Sequence, residues 1–416
     1  MRVAVKSLGC KVNLAETEAF LGGLGAVELV PRGAELVFLN TCAVTTTAEA
    51  KTRAEIRRAR RENPDALVVV SGCFVDRDPA TVRALGADLA VPNEAKPRLV
   101  ELVRTALGEA ADPIAAPVPA LWGNPERAMV SSRVRAFLKV QDGCNAGCAY
   151  CIIPRLRGRE RSRPAEDALK EAEALLARGV RELVLTGVRL GSYDGHPRGL
   201  AGLVEDLIAL GAYVRLSSIE PEDTDERLIE VLARHAPAAR PHLHLSLQTG
   251  SERLLALMNR RYRLEEYQRI VGLAHDRIPG FALTTDVIAG LPTETEEDFE
   301  ATVRVLRGLR PARVHVFTYT PRPGTRAARL PQLPHPVRKA RTRALIALAH
   351  AIAEERMRPK LGQRTTLLVE RAEDGWLLGH TPDYYEARVR GEAEPGETVA
   401  FVIERAEGYA LVGRAA

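Results

Sequence analysis

The chain has few cysteines, no long apolar run and no N-terminal signal peptide. Its 416 residues include 6 Cys, and no hydrophobic stretch approaches the length needed to cross a membrane. We therefore expect a cytoplasmic protein with no membrane partner. Thiols in that compartment stay reduced, which argues against disulfides.

Length and charge bound the class of protein. A chain of 416 residues suggests two or three domains. Hydrophobic residues make up 46% of the chain, which is enough for buried cores. The formal net charge of +5 is compatible with a nucleic-acid partner but does not require one.

Three cysteines stand close together in QDGCNAGCAYCIIP, where Cys144, Cys148 and Cys151 have the spacing C-x3-C-x2-C. Soft thiolates at this density bind a soft metal or an iron–sulfur cluster. A structural zinc site needs four ligands, and no histidine or fourth cysteine lies nearby. The spacing therefore favours a cluster with three held irons and one open iron. Zinc and structural thiols are the less favoured alternatives.

The N-terminal third alternates strand and helix patterns. The strand-like runs are RVAVKSLG, ELVFLN, LVVVSG and DLAVP, and this alternation predicts a doubly wound parallel sheet. Cys10, Cys42 and Cys73 each come near the carboxyl end of a predicted strand, the edge where open α/β sheets bind ligands. Buried core cysteines are the alternative. Three equivalent positions favour a second three-cysteine cluster.

A Pro- and Ala-rich segment at 113–131 predicts a linker between domains at 1–112 and 132–358. Six strand-like runs separated by helical patterns follow: RAFLKVQ, ELVLTGV, YVRLSSI, HLHLSLQ, ALTTDVIAG and RVHVFTYT. They predict a six-unit partial (β/α) barrel with its active face at the carboxyl ends of the strands. Five short strands in 359–416 predict a small antiparallel β-barrel, completing an α/β multidomain protein.

The cysteine triad at 144–151, with Tyr150 directly before its last member, resembles that of the radical S-adenosylmethionine (SAM) enzymes. The resemblance implies that a [4Fe–4S] cluster chelates SAM through its open iron and generates a 5′-deoxyadenosyl radical. It also implies that Tyr150 and the ends of the second to fifth strands line the cofactor. The residues at these positions are Tyr150, Thr186, Gly187, Ser218, Glu220, Gln248, Asp286 and Gly290.

The segments SLGCKVNLAET, LNTCAVTTTAEAKTR and VSGCF resemble the cysteine motifs of the methylthiotransferase N-terminal domain. Four further residues match that pattern: Asn13, Glu16, Asn40 and Thr41. The resemblance implies a second [4Fe–4S] cluster that delivers sulfur, one SAM for methyl transfer and one for the radical. It further implies an electron donor such as flavodoxin or ferredoxin, a sulfur source, and a monomeric enzyme.

QDGCN, TGVRLGSYD, SSIEPE and HLHLSLQTGS resemble the branch that acts on C2 of N6-threonylcarbamoyladenosine beside the tRNA anticodon. The alternatives are isopentenyladenosine in tRNA, an aspartate of a ribosomal protein, or a non-catalytic iron–sulfur sensor that binds RNA. The C-terminal module resembles the TRAM domain, an RNA-binding barrel. From Lys360 onward it carries seven basic and ten acidic residues, so its net charge is acidic.

Several arginines are candidates for contact with RNA phosphates, because the guanidinium fork matches phosphate oxygens. The segment at 51–61 carries six basic residues, and five arginines occupy 155–163. The C-terminal module offers further arginines, with aromatic support from Tyr384 or Tyr385. The candidates are Arg57, Arg58, Arg155, Arg157, Arg159, Arg364 and Arg388. Solvated surfaces are the alternative for each.

Overall fold

The structure is a computed structural model that describes residues 1–108 and 134–416. The predicted linker at 113–131 lies outside the described residues. Three folded parts follow one another along the chain: an N-terminal sheet, a central set of β/α units and a C-terminal barrel.

The N-terminal part is a parallel five-stranded sheet of order β2-β1-β3-β4-β5. Its strands are β1 (Arg2–Ser7), β2 (Glu28–Leu29), β3 (Leu36–Thr41), β4 (Leu67–Gly72) and β5 (Leu89–Val91). Its helices are α1 (Lys11–Leu24), α2 (Thr46–Glu62), α3 (Cys73–Arg77), α4 (Pro79–Ala84) and α5 (Leu99–Ala106). Apolar clusters cover both faces, as the near-continuous apolar strands require. The strand order reverses between β1 and β3, where sheets of this type bind ligands.

The central part has the six predicted strand positions. The strands and short hairpin are β6 (Arg135–Lys139), β7 (Gln141–Asp142), β8 (Arg161–Ser162), β9 (Glu182–Thr186), β10 (Tyr213–Leu216), β11 (Ser218–Ile219), β12 (His242–Leu245), β13 (Ala282–Ala289) and β14 (Arg313–Thr318). The helices are α6 (Ile153–Arg157), α7 (Ala165–Ala177), α8 (Gly199–Ala209), α9 (Glu226–Arg234), α10 (Glu252–Leu257), α11 (Leu264–Arg277), α12 (Glu296–Leu309) and α13 (His335–Met357).

Two parallel sheets, β10-β9-β6 and β11-β12-β13-β14, together form the partial barrel. The predicted third strand is broken at Ser217, so β10 belongs to the first sheet and β11 to the second. Leucines such as Leu243 and Leu245 face the helices, while the alternate residues His242 and His244 face the barrel lumen. This alternation produces a polar interior.

The C-terminal part is a closed five-stranded barrel of order β15-β16-β17-β19-β18. Its strands are β15 (Arg364–Glu373), β16 (Trp376–His380), β17 (Glu386–Arg390), β18 (Thr398–Glu407) and β19 (Ala410–Ala415). The predicted small antiparallel β-barrel is confirmed; four of its strand pairs are antiparallel, and β17 and β19 run parallel. A closed ring with an odd number of strands cannot alternate direction throughout.

Among the described residues, no helix combines the length and apolar character needed to cross a membrane.

Candidate active site between two cysteine triads

The first triad lies at the carboxyl edge of the N-terminal sheet. Cys10 follows β1, Cys42 follows β3 and Cys73 follows β4, which are neighbouring strands. The pKa of the Cys42 thiol is raised to about 12, mainly by burial, and the nearby Cys73 and Cys10 contribute in the same direction. Gly9 allows the close approach of Cys10 and Cys42: its φ is +97°, and a Cβ there would lie 2.6 Å from Cys42 Cβ. The sheet therefore brings together three thiols whose positions span 63 residues of sequence, from Cys10 to Cys73.

Two donors approach the Cys73 sulfur from outside its own loop. Asn93 Nδ2 donates to Cys73 Sγ at 3.8 Å. The guanidinium of Arg157, on α6 of the barrel, lies beside the same thiol and opposes the increase in its pKa that burial causes. Donors of this kind stabilise sulfur that carries negative charge.

A buried charge network holds Arg157 in place. Its Nη1 lies 2.9 Å from Glu16 Oε1 on α1 and 3.0 Å from Asp142 Oδ1 on β7. Lys139 Nζ contacts the same two carboxylates at 2.6 and 2.9 Å, and Lys96 pairs with Glu16. Three buried cations thus face two buried carboxylates, and the more exposed Arg161 lies 3.3 Å from Asp142 Oδ2, so positive charge is in excess beside the first triad. Burial alone would raise the pKa of Glu16, but Arg157, Lys139 and Lys96 hold it well below its usual range.

The second triad, Cys144, Cys148 and Cys151, occupies the loop between β7 and α6. The turn after α10 and the segment after β14 hold this loop. Asn259 Nδ2 donates to Gly147 O at 3.1 Å, Ala149 N donates to Met258 O at 2.8 Å, and Ala327 N donates to Ala149 O at 2.9 Å. Burial raises the pKa of Cys151 to about 12. The loop is thereby fixed from two sides, with all three thiols partly exposed.

Arg260 contacts the second triad and is not among the site residues predicted from the sequence. Its Nη1 donates to Cys148 Sγ at 3.2 Å and to Tyr150 Oη at 3.4 Å, and its Nη2 pairs with Glu220. The side chain is almost fully buried. The run NRRYR at 259–263, between two helices of the barrel, is the only sequence signal for it. Each triad therefore has one buried arginine beside a cysteine sulfur.

A cavity of about 220 Å³ lies beside the second triad and extends to the loop that follows Cys42 of the first triad. Val44 and Thr45, which follow Cys42, form its wall on the side of the N-terminal part. Tyr150, Cys151 and Ile152 line it from the second triad. The ends of the strands supply the remaining wall: Gln248, Asp286, Ile288, Phe317, Thr318, Tyr319, Thr320 and Arg322. Arg322 pairs with Glu49 of α2, so an ion pair also ties the two parts together at this cavity.

The predicted cofactor-binding residues divide into two groups. Tyr150, Gln248 and Asp286 line the cavity. Five others do not appear in its wall: Thr186, Gly187, Ser218, Glu220 and Gly290.

The structure gives these five residues other contacts. Thr186 is fully buried and donates to Val184 O at 3.3 Å. A Cβ on Gly187 would meet Gln141, and one on Gly290 would meet Arg338 of α13, so both glycines permit close packing of protein groups. Ser218 shares a hydrogen bond with Ser246, and Glu220 pairs with Arg260, as described above.

The arginines predicted to contact RNA lie on three separate elements. Six are exposed: Arg57 and Arg58 on α2, Arg155 and Arg159 around α6, and Arg364 and Arg388 on the C-terminal barrel. Arg157 is buried with 4% exposure in the charge network, so it is not available to an RNA phosphate. Within the stretch at 155–163, Arg157 and Arg163 are buried, whereas Arg155, Arg159 and Arg161 are exposed.

Three features define the class of protein: the loop that carries the second triad, the buried guanidinium of Arg260 beside it, and the adjoining cavity at the ends of the barrel strands. Residues 138–306 match the radical SAM superfamily, and residues 2–91 match a family described as uncharacterized protein family UPF0004. The fold is shared with the radical S-adenosylmethionine methyltransferase TsrM from Kitasatospora setae, with a TM-score of 0.58, 18% identity and coverage of 79% of this chain and 74% of that one. The protein is a radical SAM enzyme, a class that uses a [4Fe–4S] cluster and SAM. Three thiols with one guanidinium beside them fit that cluster.

Relatives of full length identify the family. The chain is 35% identical over 420 residues to threonylcarbamoyladenosine tRNA methylthiotransferase MtaB of Chlamydia pneumoniae, covering 98% of this chain and 96% of that protein. The Bacillus subtilis protein of the same name is 34% identical, with 98% and 94% coverage. A tRNA-2-methylthio-N(6)-dimethylallyladenosine synthase of Sphingopyxis alaskensis is 35% identical, with 96% and 93% coverage. The chain belongs to the radical SAM tRNA methylthiotransferases.

Proposed function

We propose that this protein methylthiolates C2 of N6-threonylcarbamoyladenosine next to the tRNA anticodon. The observation that carries the proposal is the cavity between the second triad and the loop that follows Cys42. Cys151 lines it directly, and Val44 and Thr45 bring the loop of Cys42 to its other side. A base placed there would be in reach of both a radical source and a sulfur source. Several relatives named for this substrate match nearly the whole chain.

We assign a second [4Fe–4S] cluster to Cys10, Cys42 and Cys73. Support comes from the chemistry of the donors: three clustered thiols, an Asn93 amide directed at Cys73, and an excess positive charge from the network around Arg157. Thiolates and cluster sulfurs are anionic, so this excess charge favours the loaded state. Buried core cysteines would not require a cation beside them.

The two triads then divide the work. Cys144, Cys148 and Cys151 would hold the cluster that, with SAM, would supply the radical chemistry needed at the target carbon. Cys10, Cys42 and Cys73 would hold the cluster that would supply the sulfur of the methylthio group, with one SAM as methyl donor and a second as radical source. Arg260 and Arg157 each compensate negative charge at one triad.

The second candidate substrate is the dimethylallyladenosine of tRNA. It is favoured by the relatives that bear the name tRNA-2-methylthio-N(6)-dimethylallyladenosine synthase at 35% identity or slightly less. Both candidates require the same chemistry at adenine C2 and differ only in the group on N6.

The test is anaerobic reconstitution followed by turnover. The enzyme receives SAM, a reductant, sulfide and an RNA carrying either threonylcarbamoyladenosine or dimethylallyladenosine, and the digested nucleosides are read by mass spectrometry. About eight irons per chain and a methylthio product on the first RNA only are expected. Product on the second RNA only would identify dimethylallyladenosine as the substrate in place of threonylcarbamoyladenosine. About four irons with SAM cleavage and no product would remove the second cluster.

A further inference from the structure

All three folded parts meet at the end of the barrel lumen where the barrel strands begin. We call this place the lumen floor; it consists of Lys11 from α1, Tyr384 from the turn after β16, and Arg135, Arg215 and Arg240 near the starts of barrel strands. Tyr384 has a φ of +70° and enters the lumen from the C-terminal barrel. Its ring centroid lies 4.6 Å from Arg215 Cζ and 5.6 Å from Lys11 Nζ.

The lumen floor carries more cations than carboxylates. Arg135, Arg215 and Arg240 all pair with Glu182, at 2.8, 2.9 and 2.6 Å. The other carboxylate at the floor is Glu370, which lies 3.1 Å from Arg135. With Lys11 included, four cations face two carboxylates.

Lys11 is the cation without a carboxylate partner. In the part of the chain that the structure describes, no carboxylate oxygen lies within 4.0 Å of its Nζ. Tyr384, Arg135 and Arg215 are its close titratable neighbours, and the carboxylate of Asp286 lies farther along the lumen. Burial would raise the pKa of Tyr384, but Lys11, Arg135 and Arg215 lower it. This effect is consistent with a positive electrostatic potential at the lumen floor. A half-buried ammonium surrounded by cations is costly unless a ligand brings an anion.

Side chains of the barrel lumen relate this floor electrostatically to the reaction cavity. Asp286 lines the cavity and lies 3.2 Å from His244 Nε2, and both side chains keep part of their exposure, 25% and 12%. Lys11 is close enough to lower the pKa of both Asp286 and His315, although burial and nearer groups act more strongly. His244, Asp286 and His315 have the donor types of a cation site, but the ammonium of Lys11 beside them opposes a second cation. An anion fits this lumen better.

We propose that Lys11 and the hydroxyl of Tyr384 form a carboxylate-binding subsite that receives the threonyl carboxylate of the substrate nucleoside. This inference rests on the proposed function. The threonylcarbamoyl group on N6 ends in a carboxylate, whereas a dimethylallyl group has no charge. C2 and N6 lie on the same edge of adenine, and Lys11 directly follows Cys10 of the sulfur-holding triad. A base that presents C2 to that triad would bring its N6 group to the same side of the barrel, where Lys11 would act as a specificity-determining residue.

The test removes the carboxylate charge of the substrate and the ammonium charge of Lys11, separately and together. The RNAs are an anticodon stem-loop carrying threonylcarbamoyladenosine and the same stem-loop carrying its neutral methyl ester. The enzymes are wild type, Lys11→Met, Tyr384→Phe and the matched control Lys6→Met, which removes an exposed lysine from β1 of the same domain. The dissociation constant of each RNA is measured by fluorescence anisotropy on the reconstituted enzyme, and KM and kcat are measured by product formation.

For wild type and Lys6→Met, we expect the ester to bind at least about tenfold more weakly than the acid, because the ester leaves a buried charge unpaired. Lys11→Met should bind acid and ester equally, with the loss expressed in KM more than in kcat. Tyr384→Phe should show a smaller preference for the acid. The ester comparison on wild type needs no variant and therefore does not depend on the folding of Lys11→Met.

Other results would overturn the inference. If Lys11→Met keeps the wild-type preference for the acid, Lys11 does not read the carboxylate. If instead its dissociation constant for SAM rises in the absence of RNA while the preference for the acid stays, the subsite takes the carboxylate of SAM. If wild type forms no product on the acid RNA but does so on the dimethylallyl RNA, the proposed function fails, and this inference fails with it.

Discussion

At the scale of single residues, the six cysteines have the same chemistry but different tasks. The triad at 144–151 lines the cavity through Cys151, while the triad of Cys10, Cys42 and Cys73 reaches it through the loop after Cys42. Removing a thiol from one triad should therefore leave the other able to act.

Cys148→Ala should abolish SAM cleavage, because it removes a ligand of the radical-generating cluster. Cys42→Ala should retain cleavage to 5′-deoxyadenosine but form no methylthio nucleoside. Both products are quantified by liquid chromatography with mass detection, alongside iron content. Equal loss of cleavage in the two variants would make the Cys42 site structural.

Arg260 should set the reduction potential of the radical-generating cluster. Its N–H donates to Cys148 Sγ at 3.2 Å, and hydrogen bonds to cluster sulfurs stabilise the reduced, more negative state. If the charged bond contributes ~1.5 kcal/mol, Arg260→Gln should lower the midpoint potential by on the order of 60 mV. A redox titration followed by electron paramagnetic resonance measures this shift.

The control for this prediction is Arg263→Gln, which changes an exposed arginine of the same run. Arg260→Lys should recover part of the shift, since it keeps the charge but not the fork. If the midpoint potential is unchanged in Arg260→Gln, Arg260 forms the ion pair with Glu220 but does not influence the reduction potential of the cluster.

At the scale of elements, two of the three strand-to-cysteine junctions contain a glycine with the same backbone conformation. Gly9 precedes Cys10 and Gly72 precedes Cys73, each with φ of +97°. A Cβ on Gly72 would lie 2.5 Å from Thr41 O and 2.6 Å from Asn40 Oδ1. These junctions place the thiols against the neighbouring strand, which a side chain would prevent.

Gly72→Ala should therefore destabilise the N-terminal sheet by more than the ~1–3 kcal/mol of backbone strain alone, and iron content should fall by about half as the auxiliary cluster is lost. Urea unfolding and iron analysis are the measurements. The matched control is Gly211→Ala, whose φ is +91° with no atom within 4 Å of the added Cβ. If both variants lose the same stability and keep their iron, close approach to Thr41 is not important.

At the scale of the whole molecule, the interface between the N-terminal sheet and the barrel is a buried charge network. Glu16 on α1 accepts from Lys96 of its own domain and from Lys139 and Arg157 of the barrel. Its carboxylate is almost fully buried, so the three cations depend on it and on Asp142 for compensation. The network thereby joins the domain that carries the first triad to the barrel that carries the second.

Glu16→Gln should cost about 3–5 kcal/mol, because buried cations lose a partner. The pKa of Glu16 is lower in the folded state, so its stabilisation is complete above the unfolded value near 4.5 and is lost as the pH falls through the folded value. The difference between wild type and variant in urea unfolding should therefore stay constant from pH 8 to pH 5. Glu101→Gln, at an exposed pair with Arg98, should change little. A difference that shrinks within this range would contradict the assignment.

Much of this architecture is local in origin. Strand and helix alternation predicts the N-terminal sheet and all six barrel positions, because each pattern reports which face of an element is apolar. The cysteine spacing predicts the open-iron chemistry, and the strand ends predict the edge that holds both triads. These features depend on neighbours in sequence.

Tertiary packing decided the remaining features. Arg157 and its neighbours in sequence look alike, yet Arg157 is buried because Glu16, 141 residues away, accepts from it. Tyr384 had been expected to support RNA binding and instead enters the barrel lumen, where it meets Lys11. Arg260 reaches Cys148 across 112 residues. The sequence by itself determined the elements and the reactive thiols, while only the tertiary structure decided which charges meet, because such contacts are set by distant segments and leave no local pattern.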